Sequence, residues 1–504
     1  MKRKQTLFAA GGILFLIVGA AIIFSPSRRY SEHRYVTDAG ACRLQLSVVQ
    51  RADLPEGTDP GSVVLLHGIS ANRVIMTYLA RSFAELGLRV YLPDLPGHGK
   101  STGAFSPAQA EACSLSLVRG LAARGMIHPD RTILSGHSMG GAIALRIAGR
   151  VRPAGVIAIS PAPMQTAHGV QSENLLYQDP PVVPPNTLIL AGQFEPEGLA
   201  GNAADLAATS TDSSVKFERL QWNSHVSVLF SPQAALESQK WAARLLDLPN
   251  SSRLPSRAYL LGGVLGLAGI LLLAGPFIRE MVGKEQRDEK QSVHLPSALR
   301  TATEFAGVSI AAVYLLRYWQ PLRLLHIFEG DYLAGFFLIV GMALLLLHPR
   351  LAQSQFLTKP AALLGAAVAA VIVHLLITGW FELSVTSSWM TLQRWARFPV
   401  YFLAAFLFLY ALEILLGPNK DSRGRLIFSL LLLTIAWLGL VGGVLYLRSG
   451  EVLLVLLLPY FVLFFLLSRL GSQLVRQQTA SATAAAVFGA ILLAGFCLVL
   501  FPAT

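Results

Sequence analysis

A serine set between glycines has the most definite chemistry in this sequence. Residues 136–140 read Gly-His-Ser-Met-Gly, after an apolar run at 132–135 and before the run Gly-Gly-Ala-Ile-Ala-Leu at 140–145. This pattern is typical of a strand that turns sharply into a helix, where glycines are favoured because side chains would collide in the turn. A hydroxyl on such a turn stands clear of the sheet. We therefore predict that Ser138 is a nucleophile.

The segments around this serine alternate between predicted strands and helices. Short apolar runs rich in β-branched residues indicate strands buried on both faces of a parallel sheet. They occur at 63–66, 89–92, 132–135, 156–160, 187–191 and 217–220, with helices expected at about 73–87 and 107–125. Such alternation predicts a doubly wound, mostly parallel α/β sheet.

Three motifs resemble those of the α/β-hydrolase superfamily, in particular its lipase, esterase and serine-aminopeptidase-like members. They read Leu-His-Gly-Ile at 66–69, Asp-Leu-Pro-Gly-His-Gly at 94–99 and Gly-His-Ser-Met-Gly-Gly at 136–141. The resemblance extends over about residues 60–248. It implies the α/β-hydrolase fold and a catalytic triad in the chain order Ser, acid, His.

The resemblance also implies an oxyanion hole, which needs two preorganised N–H donors. By match to the motifs, these are the backbone N–H groups of Ile69 and Met139. The motif histidines His67, His98 and His137 are expected to have structural roles.

The remaining triad members follow from the same resemblance. The predicted strand at 187–191 is followed by Gly192, and the family usually has an aspartate three residues after such a glycine. Here that position is Glu195, with Glu197 as the alternative. His225 is the only histidine between position 168 and the end of this domain. We expect His225 to take the proton of Ser138 and the acid to fix the imidazole tautomer.

The interval in which this family usually inserts a cap is short here. About two dozen proline-rich residues separate the predicted strands at 156–160 and 187–191. We therefore expect no large helical cap, so that the site is open or is covered by the bilayer surface or by the rest of the chain.

Composition indicates that much of the chain lies in lipid. Of its 504 residues, 53% are hydrophobic and 14% charged, whereas soluble domains have about 25% charged residues. Residues 35–250 contain 16 Lys+Arg and 17 Asp+Glu, so the net charge of +12 comes from the rest of the chain. This distribution indicates membrane topology and no nucleic-acid partner.

Apolar runs of nearly spanning length lie on both sides of the polar block. An α-helix needs about 20 residues to cross the hydrocarbon core. Residues 7–24 form an uncleaved anchor or, alternatively, a signal peptide, and eight further spans are predicted at 258–278, 302–319, 332–347, 361–380, 398–416, 426–447, 452–468 and 482–501. The predicted domains are an anchor at 1–29, an α/β-hydrolase domain at 30–250 and a membrane domain at 251–504.

The distribution of basic residues orients these spans. With a cytoplasmic N-terminus, the four C-terminal loops on the inner side hold 12 Lys+Arg, against five in the outer loops. The positive-inside rule then places residues 30–250 on the extracytoplasmic side, and we expect an integral protein of a bacterial inner membrane.

Polar and aromatic residues of the C-terminal half allow two interpretations. Glu304, His374 and Glu413 fall within spans, where such residues mark a transport path or pack helices, and packing is favoured because they are sparse. Aromatic residues at 380–395, on the predicted outer face, motivate the hypothesis that this half delivers a lipid-like substrate to Ser138.

The three cysteines are too few for a disulfide framework or a zinc site. Cys42 and Cys113 fall in one domain and would form a bridge if that domain is exported, or remain buried thiols. We find no haem, metal or nucleotide motif, and expect neither a cofactor nor a metal.

These features favour a hydrolase of carboxylic esters that acts on a small-molecule, lipid or envelope acyl ester through an acyl-enzyme. A serine aminopeptidase or amidase is an alternative, because the same motifs serve both reactions. A transport or lipid-handling protein with a binding-only domain is a third. The sequence leaves the oligomeric state open.

Overall fold

The computed structural model describes residues 2–25, 29–55, 58, 60–164, 177, 182–249, 253–283, 295–356, 358–417, 422–447 and 450–504. The chain divides into two compact units. The first, which we call the sheet unit, comprises Val18–Val264, Phe381–Trp389 and Pro502–Thr504. The second, the helical unit, comprises Met1–Ile17, Leu265–Trp380 and Met390–Phe501.

The sheet unit is built on a mostly parallel sheet, as predicted. Within the described residues it has eight strands, β1 (Tyr30–Ala39), β2 (Cys42–Arg51), β3 (Ser62–Leu66), β4 (Arg89–Pro93), β5 (Thr132–His137), β6 (Gly155–Ile159), β7 (Thr187–Gly192) and β8 (Lys216–Leu220). Their order is β1-β2-β4-β3-β5-β6-β7-β8. The last six strands in the chain pair in parallel, and each lies within two residues of a predicted strand.

The hairpin of β1 and β2 was not predicted. It pairs antiparallel from Tyr30 with Arg51 to Ala39 with Cys42, and β2 then pairs antiparallel with β4. Most β1 side chains are polar and at least partly exposed. Uninterrupted apolar runs indicate buried parallel strands, and a partly exposed edge strand such as β1 has no such run.

Helices flank the sheet, as doubly wound folds require. They are α2 (Thr77–Glu85), α3 (Pro107–Ala123), α4 (Met139–Val151), α5 (Glu197–Ala208) and α6 (Pro232–Leu245), after α1 (Lys2–Phe24) at the N-terminal end. The helix expected from residue 73 begins only at Thr77. The reason is local, since the backbone N–H and the guanidinium of Arg73 both bind the Asp94 carboxylate.

A disulfide joins two of these elements. Cys42 at the start of β2 is bonded to Cys113 in α3, with a Cα–Cα distance of 5.9 Å. Cys42 and Cys113 therefore form the bridge and are not free thiols. The third cysteine, Cys497, is a buried free thiol.

The helical unit and the adjoining helices have the predicted membrane-like composition. The helices that follow the sheet unit's main segment are α7 (Ala258–Val282), α8 (Ala298–Tyr318), α9 (Gly330–Leu347), α10 (Pro349–Phe356), α11 (Pro360–Ser384), α12 (Leu392–Trp395), α13 (Phe398–Leu416), α14 (Ser422–Leu447), α15 (Val452–Leu456), α16 (Leu458–Thr479) and α17 (Ala482–Leu500). In the described part of the chain, nine helices are long and apolar enough to cross a membrane, namely α1, α7, α8, α9, α11, α13, α14, α16 and α17.

One predicted span is wrong in its position. The run at 452–468 is divided into α15 and α16, and α16 continues to Thr479 through a segment expected to be a loop. Pro459 lies in the first turn of α16, a position that proline favours because it has no N–H to donate. A new helix therefore begins beside this proline, near the middle of the predicted span.

Polar residues inside the helical unit contact side chains from other parts of that unit. Glu413 of α13 is fully buried, pairs with Arg425 and lies 2.6 Å from Arg469 Nη1. Glu304 of α8 lies 2.8 Å from His348 Nε2. These contacts are of the kind expected for polar residues that pack helices.

Candidate active site

The turn at Ser138 has the geometry that its flanking glycines suggest. Ser138 lies between β5 and α4 with φ of 53° and ψ of −119°, a conformation that residues with a side chain rarely adopt. A Cβ on Gly136 would lie 2.3 Å from the Gly140 carbonyl carbon, and one on Gly140 would lie 2.3 Å from Leu66 O. Both glycines are therefore required by close backbone approach.

The structure brings His225 and Glu195 to this serine. Nε2 of His225 lies 3.1 Å from Ser138 Oγ, and its Nδ1 lies 3.3 Å from Glu195 Oε2. His225 follows β8 and Glu195 follows β7, so parallel neighbouring strands deliver both to the same end of the sheet. Ser138 is partly exposed, whereas His225 and Glu195 are buried. Glu197, the alternative acid, is exposed at the start of α5.

Two further groups hold the Glu195 carboxylate. Its Oε1 accepts hydrogen bonds from Gly192 N, at 2.6 Å, and from the Ser160 hydroxyl. Burial alone would raise the pKa of Glu195, but the hydrogen bonds from His225, Ser160 and Gly192 outweigh burial and hold that pKa below its ordinary value. The carboxylate is therefore ionised at neutral pH and able to stabilise an imidazolium.

Sequence reasoning missed Ser160. It lies just after β6 with φ of 45°, and β6 is the neighbour of β7 in the sheet. Its position in the sequence carries no signal of this role, because a serine at a strand end is common. Only the strand order places it beside Glu195.

The motif histidines bond to backbone groups, in line with their expected structural roles. His137 Nε2 lies 2.7 Å from the carbonyl oxygen of His225, and His67 Nε2 accepts a hydrogen bond of 2.8 Å from Leu95 N. Burial, and secondarily the charge of His225, lower the pKa of His137 to about 3. His137 is therefore neutral and donates from Nε2, which fixes the loop that carries the His225 ring.

The two expected oxyanion donors adjoin Ser138 in different ways. Met139 is the first residue of α4, and the first N–H groups of a helix have no partner within the helix. Gly68 packs against Ser138 so closely that a Cβ on Gly68 would lie 3.0 Å from Ser138 Cβ, and Ile69 follows Gly68 directly. An anion that forms at Ser138 would therefore meet the positive end of α4.

Two other expectations concern the surroundings of the site. The interval 161–186, where no cap was expected, includes 165–176 and 178–181, which lie outside the described residues. Across the part of the chain that the structure describes, no group of three or more His, Cys, Asp or Glu side chains could hold a metal ion.

Comparison with known proteins gives one family match. Residues 63–270 match the model of the alpha/beta hydrolase family. A comparison with curated proteins finds no match.

The chain is also similar to solved structures at low sequence identity. An alpha-beta serine hydrolase homologue from Coxiella burnetii is 19% identical over 43% of this chain and 96% of that chain, with a TM-score of 0.32. A thermophilic esterase from Thermogutta terrifontis is 17% identical over 43% and 99%, with a TM-score of 0.33. An esterase from Pyrobaculum calidifontis is 16% identical over 49% and 92%, with a TM-score of 0.37.

Proposed function

We propose that this chain, in which residues 63–270 carry an α/β hydrolase domain, is a membrane-bound serine hydrolase of carboxylic esters. The observation that carries the proposal is the hydrogen-bonded series Ser138, His225, Glu195 on a strained strand-to-helix turn. A binding module has no need of such a series, because nothing in reversible binding requires a serine to lose its proton.

In the proposed mechanism, Ser138 Oγ attacks the ester carbonyl carbon while His225 Nε2 takes the hydroxyl proton. Glu195 stabilises the imidazolium, and the N–H groups of Ile69 and Met139 stabilise the oxyanion of the tetrahedral intermediate. The intermediate expels the alcohol, which receives the proton from His225. Water, deprotonated by the same histidine, then attacks the acyl-enzyme and releases the carboxylic acid and free Ser138.

The rest of the chain supports the proposed substrate class. Nine helices of spanning length in the described residues support a membrane location, and a lipid or envelope acyl ester is a substrate available at that surface. The Cys42–Cys113 disulfide supports placement of the sheet unit on the extracytoplasmic side, because disulfides form and persist mainly in oxidising compartments.

A serine aminopeptidase or amidase is the second candidate, since the same nucleophile, base and acid would cleave an amide. What would separate the two is protonation of the leaving group, which an amine requires more than an alcohol. A panel of acyl esters and aminoacyl amides, assayed with the full chain in detergent, distinguishes them.

Labelling with a fluorophosphonate probe tests the enzyme proposal directly. The full-length chain should be labelled, and Ser138→Ala and His225→Ala should each abolish labelling. Ser213→Ala and His128→Ala, at exposed positions, are the matched controls and should label normally. Persistent labelling of the Ser138→Ala protein would contradict the proposal.

A further inference from the structure

A short distant segment belongs to the same compact unit as the hydrolase sheet. Residues Phe381–Trp389 group with Val18–Val264, although in sequence they follow most of α11, a predicted span. The segment comprises the last turn of that helix and the five residues after it, and Val385 N and Thr386 N both donate to Phe381 O, at 2.9 and 3.1 Å. It is therefore a defined turn that can hold its neighbours in place.

The segment binds Asn72 through both ends of the side-chain amide. Asn72 Nδ2 donates to Thr386 Oγ1 at 2.7 Å and to Ser387 O at 3.2 Å, and Ser387 N donates to Asn72 Oδ1 at 2.9 Å. Asn72 is 5% exposed and Ser387 4%. A buried amide with both its donor and its acceptor paired has one orientation, so this contact fixes the backbone at residue 72.

Charged groups connect the same segment to two loops of the hydrolase sheet. Glu382 Oε1 lies 2.6 Å from Lys100 Nζ, in the loop after β4, and 3.7 Å from Arg73 Nη2, in the loop after β3. Arg73 is itself bound to Asp94, and Glu382 is 7% exposed. Lys100 and Arg73 therefore share a buried counter-charge supplied by the distant segment.

The loop held in this way carries one of the two proposed oxyanion donors. Residues 68–73 begin at Gly68, which packs against Ser138, and include Ile69. Within the loop, Ala71 N donates to Gly68 O at 3.3 Å, and Ser70 has φ of 56°. A serine in the left-handed region persists only when the surrounding structure maintains it, and an oxyanion donor is effective only when it is held in place.

We propose that Asn72 and Glu382 are positioning residues, which fix the Ile69 N–H toward the oxyanion by holding residues 68–73 against the segment 381–389. The inference rests on the proposed function and deepens it. In this chain, part of the scaffold of the hydrolytic site is then supplied by residues beyond the α/β hydrolase match, at the end of a predicted span.

Substitution of Asn72 separates positioning from substrate binding. In the full-length protein, Asn72→Ala should lower kcat by about 10- to 100-fold, since a misplaced group of this kind costs up to about that factor. KM for an uncharged acyl ester should stay within about threefold, because a donor used only in the transition state leaves ground-state binding unchanged. Thr386→Val, which removes one hydrogen bond, and Glu382→Gln should give smaller losses of kcat.

The inhibition constant of a trifluoromethyl ketone would be unchanged if Asn72 had only a structural role. The ketone forms a covalent adduct with the serine whose oxygen occupies the oxyanion hole. Its inhibition constant should therefore weaken in Asn72→Ala by the same factor as kcat/KM. Ser388→Ala, in the same segment but without a hydrogen bond to residues 68–73 in the structure, is the matched control and should leave both values unchanged.

The outcomes distinguish this inference from the proposed function. If fluorophosphonate labelling survives Ser138→Ala, the proposed function itself fails. If labelling depends on Ser138, but Asn72→Ala and Glu382→Gln retain wild-type kcat and inhibitor affinity, the positioning inference alone is overturned. If Asn72→Ala strongly lowers the Tm, the variants Thr386→Val and Asn72→Asp replace it in the test. The inference is then overturned if these two variants lose no more kcat than Ser388→Ala does.

Discussion

At the residue scale, the surroundings of Glu195, the proposed triad acid, show how a longer side chain is accommodated. The sequence resemblance implies an aspartate at this position, and one of the Glu195 carboxylate oxygens is held by Gly192 N and the Ser160 hydroxyl. That leaves the other oxygen, Oε2, 3.3 Å from His225 Nδ1. The hydrogen bonds from Gly192 N and Ser160 thus position the longer glutamate side chain so that Oε2 reaches His225.

Substitutions of Glu195 test this arrangement. Glu195→Gln should lower kcat by about 10³- to 10⁴-fold, because an amide cannot stabilise the imidazolium and favours the wrong tautomer. Glu195→Asp should lose less, about tenfold, since a shorter carboxylate cannot reach both Gly192 N and His225. Glu197→Gln is the control and should retain activity. If Glu197→Gln lost activity and Glu195→Gln kept it, the assignment of Glu195 as the acid would be wrong.

Buried neutral histidine gives the domain a pH-dependent stability. The pKa of His137 is about 3 in the folded chain against 6.5 as its ordinary value. Between these values the unfolded chain binds a proton that the folded chain does not, so stability is full above the ordinary pKa and falls as the pH drops below it. The slope for one proton is about 1.4 kcal/mol per pH unit.

Thermal unfolding of the full chain at about pH 7.5 and about pH 5 measures this effect. His137→Asn should reduce the fall in Tm between the two conditions. Part of the fall should remain, because burial lowers the pKa of His67 as well. His128→Asn, at an exposed position, should unfold with the wild-type pH dependence. An unchanged fall in Tm for His137→Asn would contradict the prediction.

At the scale of elements, a covalent link ties the hairpin of β1 and β2 to a helix. Its edge position leaves one side of β1 without a strand partner in the sheet order, and the disulfide from Cys42 ties β2 to α3 across 71 residues of chain. A cross-link over a loop of this length stabilises mainly by restricting the unfolded chain.

Removal of the disulfide should therefore destabilise the sheet unit. Cys113→Ser is expected to lower the free energy of unfolding by about 2–5 kcal/mol. Reductant should destabilise the wild type similarly and leave the variant unaffected. Alkylation of the unfolded protein before reduction should modify Cys497 alone, and modification of Cys42 or Cys113 at that stage would contradict the bridge.

At the scale of the whole molecule, charge and apolar length together predict topology. The sequence segments assigned to the inner side carry most of the basic residues outside the polar block, and the polar block lies between the first and second spanning helices. By the positive-inside rule, the hydrolase sheet would then face the extracytoplasmic side.

Reporter fusions test that orientation. A phosphatase that is active only after export, fused near Pro249, should be active, and the same reporter fused within residues 417–425 should be inactive. The opposite pattern, with activity near Pro249 confined to a cytoplasmic reporter, would overturn the exported placement. It would also remove the reason to expect a disulfide in the cell.

Features that local patterns encode could be predicted from the amino-acid sequence alone. Continuous apolar runs identified the six parallel strands, and the glycines around Ser138 identified the turn, because burial on both faces and close backbone approach each restrict residue type at fixed short spacing. Run length likewise identified the spanning helices, except where α16 begins at Leu458, with Pro459 in its first turn, inside a continuous apolar stretch.

Which distant residues meet depends on the three-dimensional fold. Ser160 supports Glu195 because β6 lies beside β7, and Asn72 binds Thr386 and Ser387 across more than 300 residues of chain. Strand order and chain return set these contacts, and neither leaves a periodic signal in the residues that make them. The turn that carries Ser138 was therefore predictable from sequence, whereas the contacts that hold Glu195 and residues 68–73 in place depend on packing.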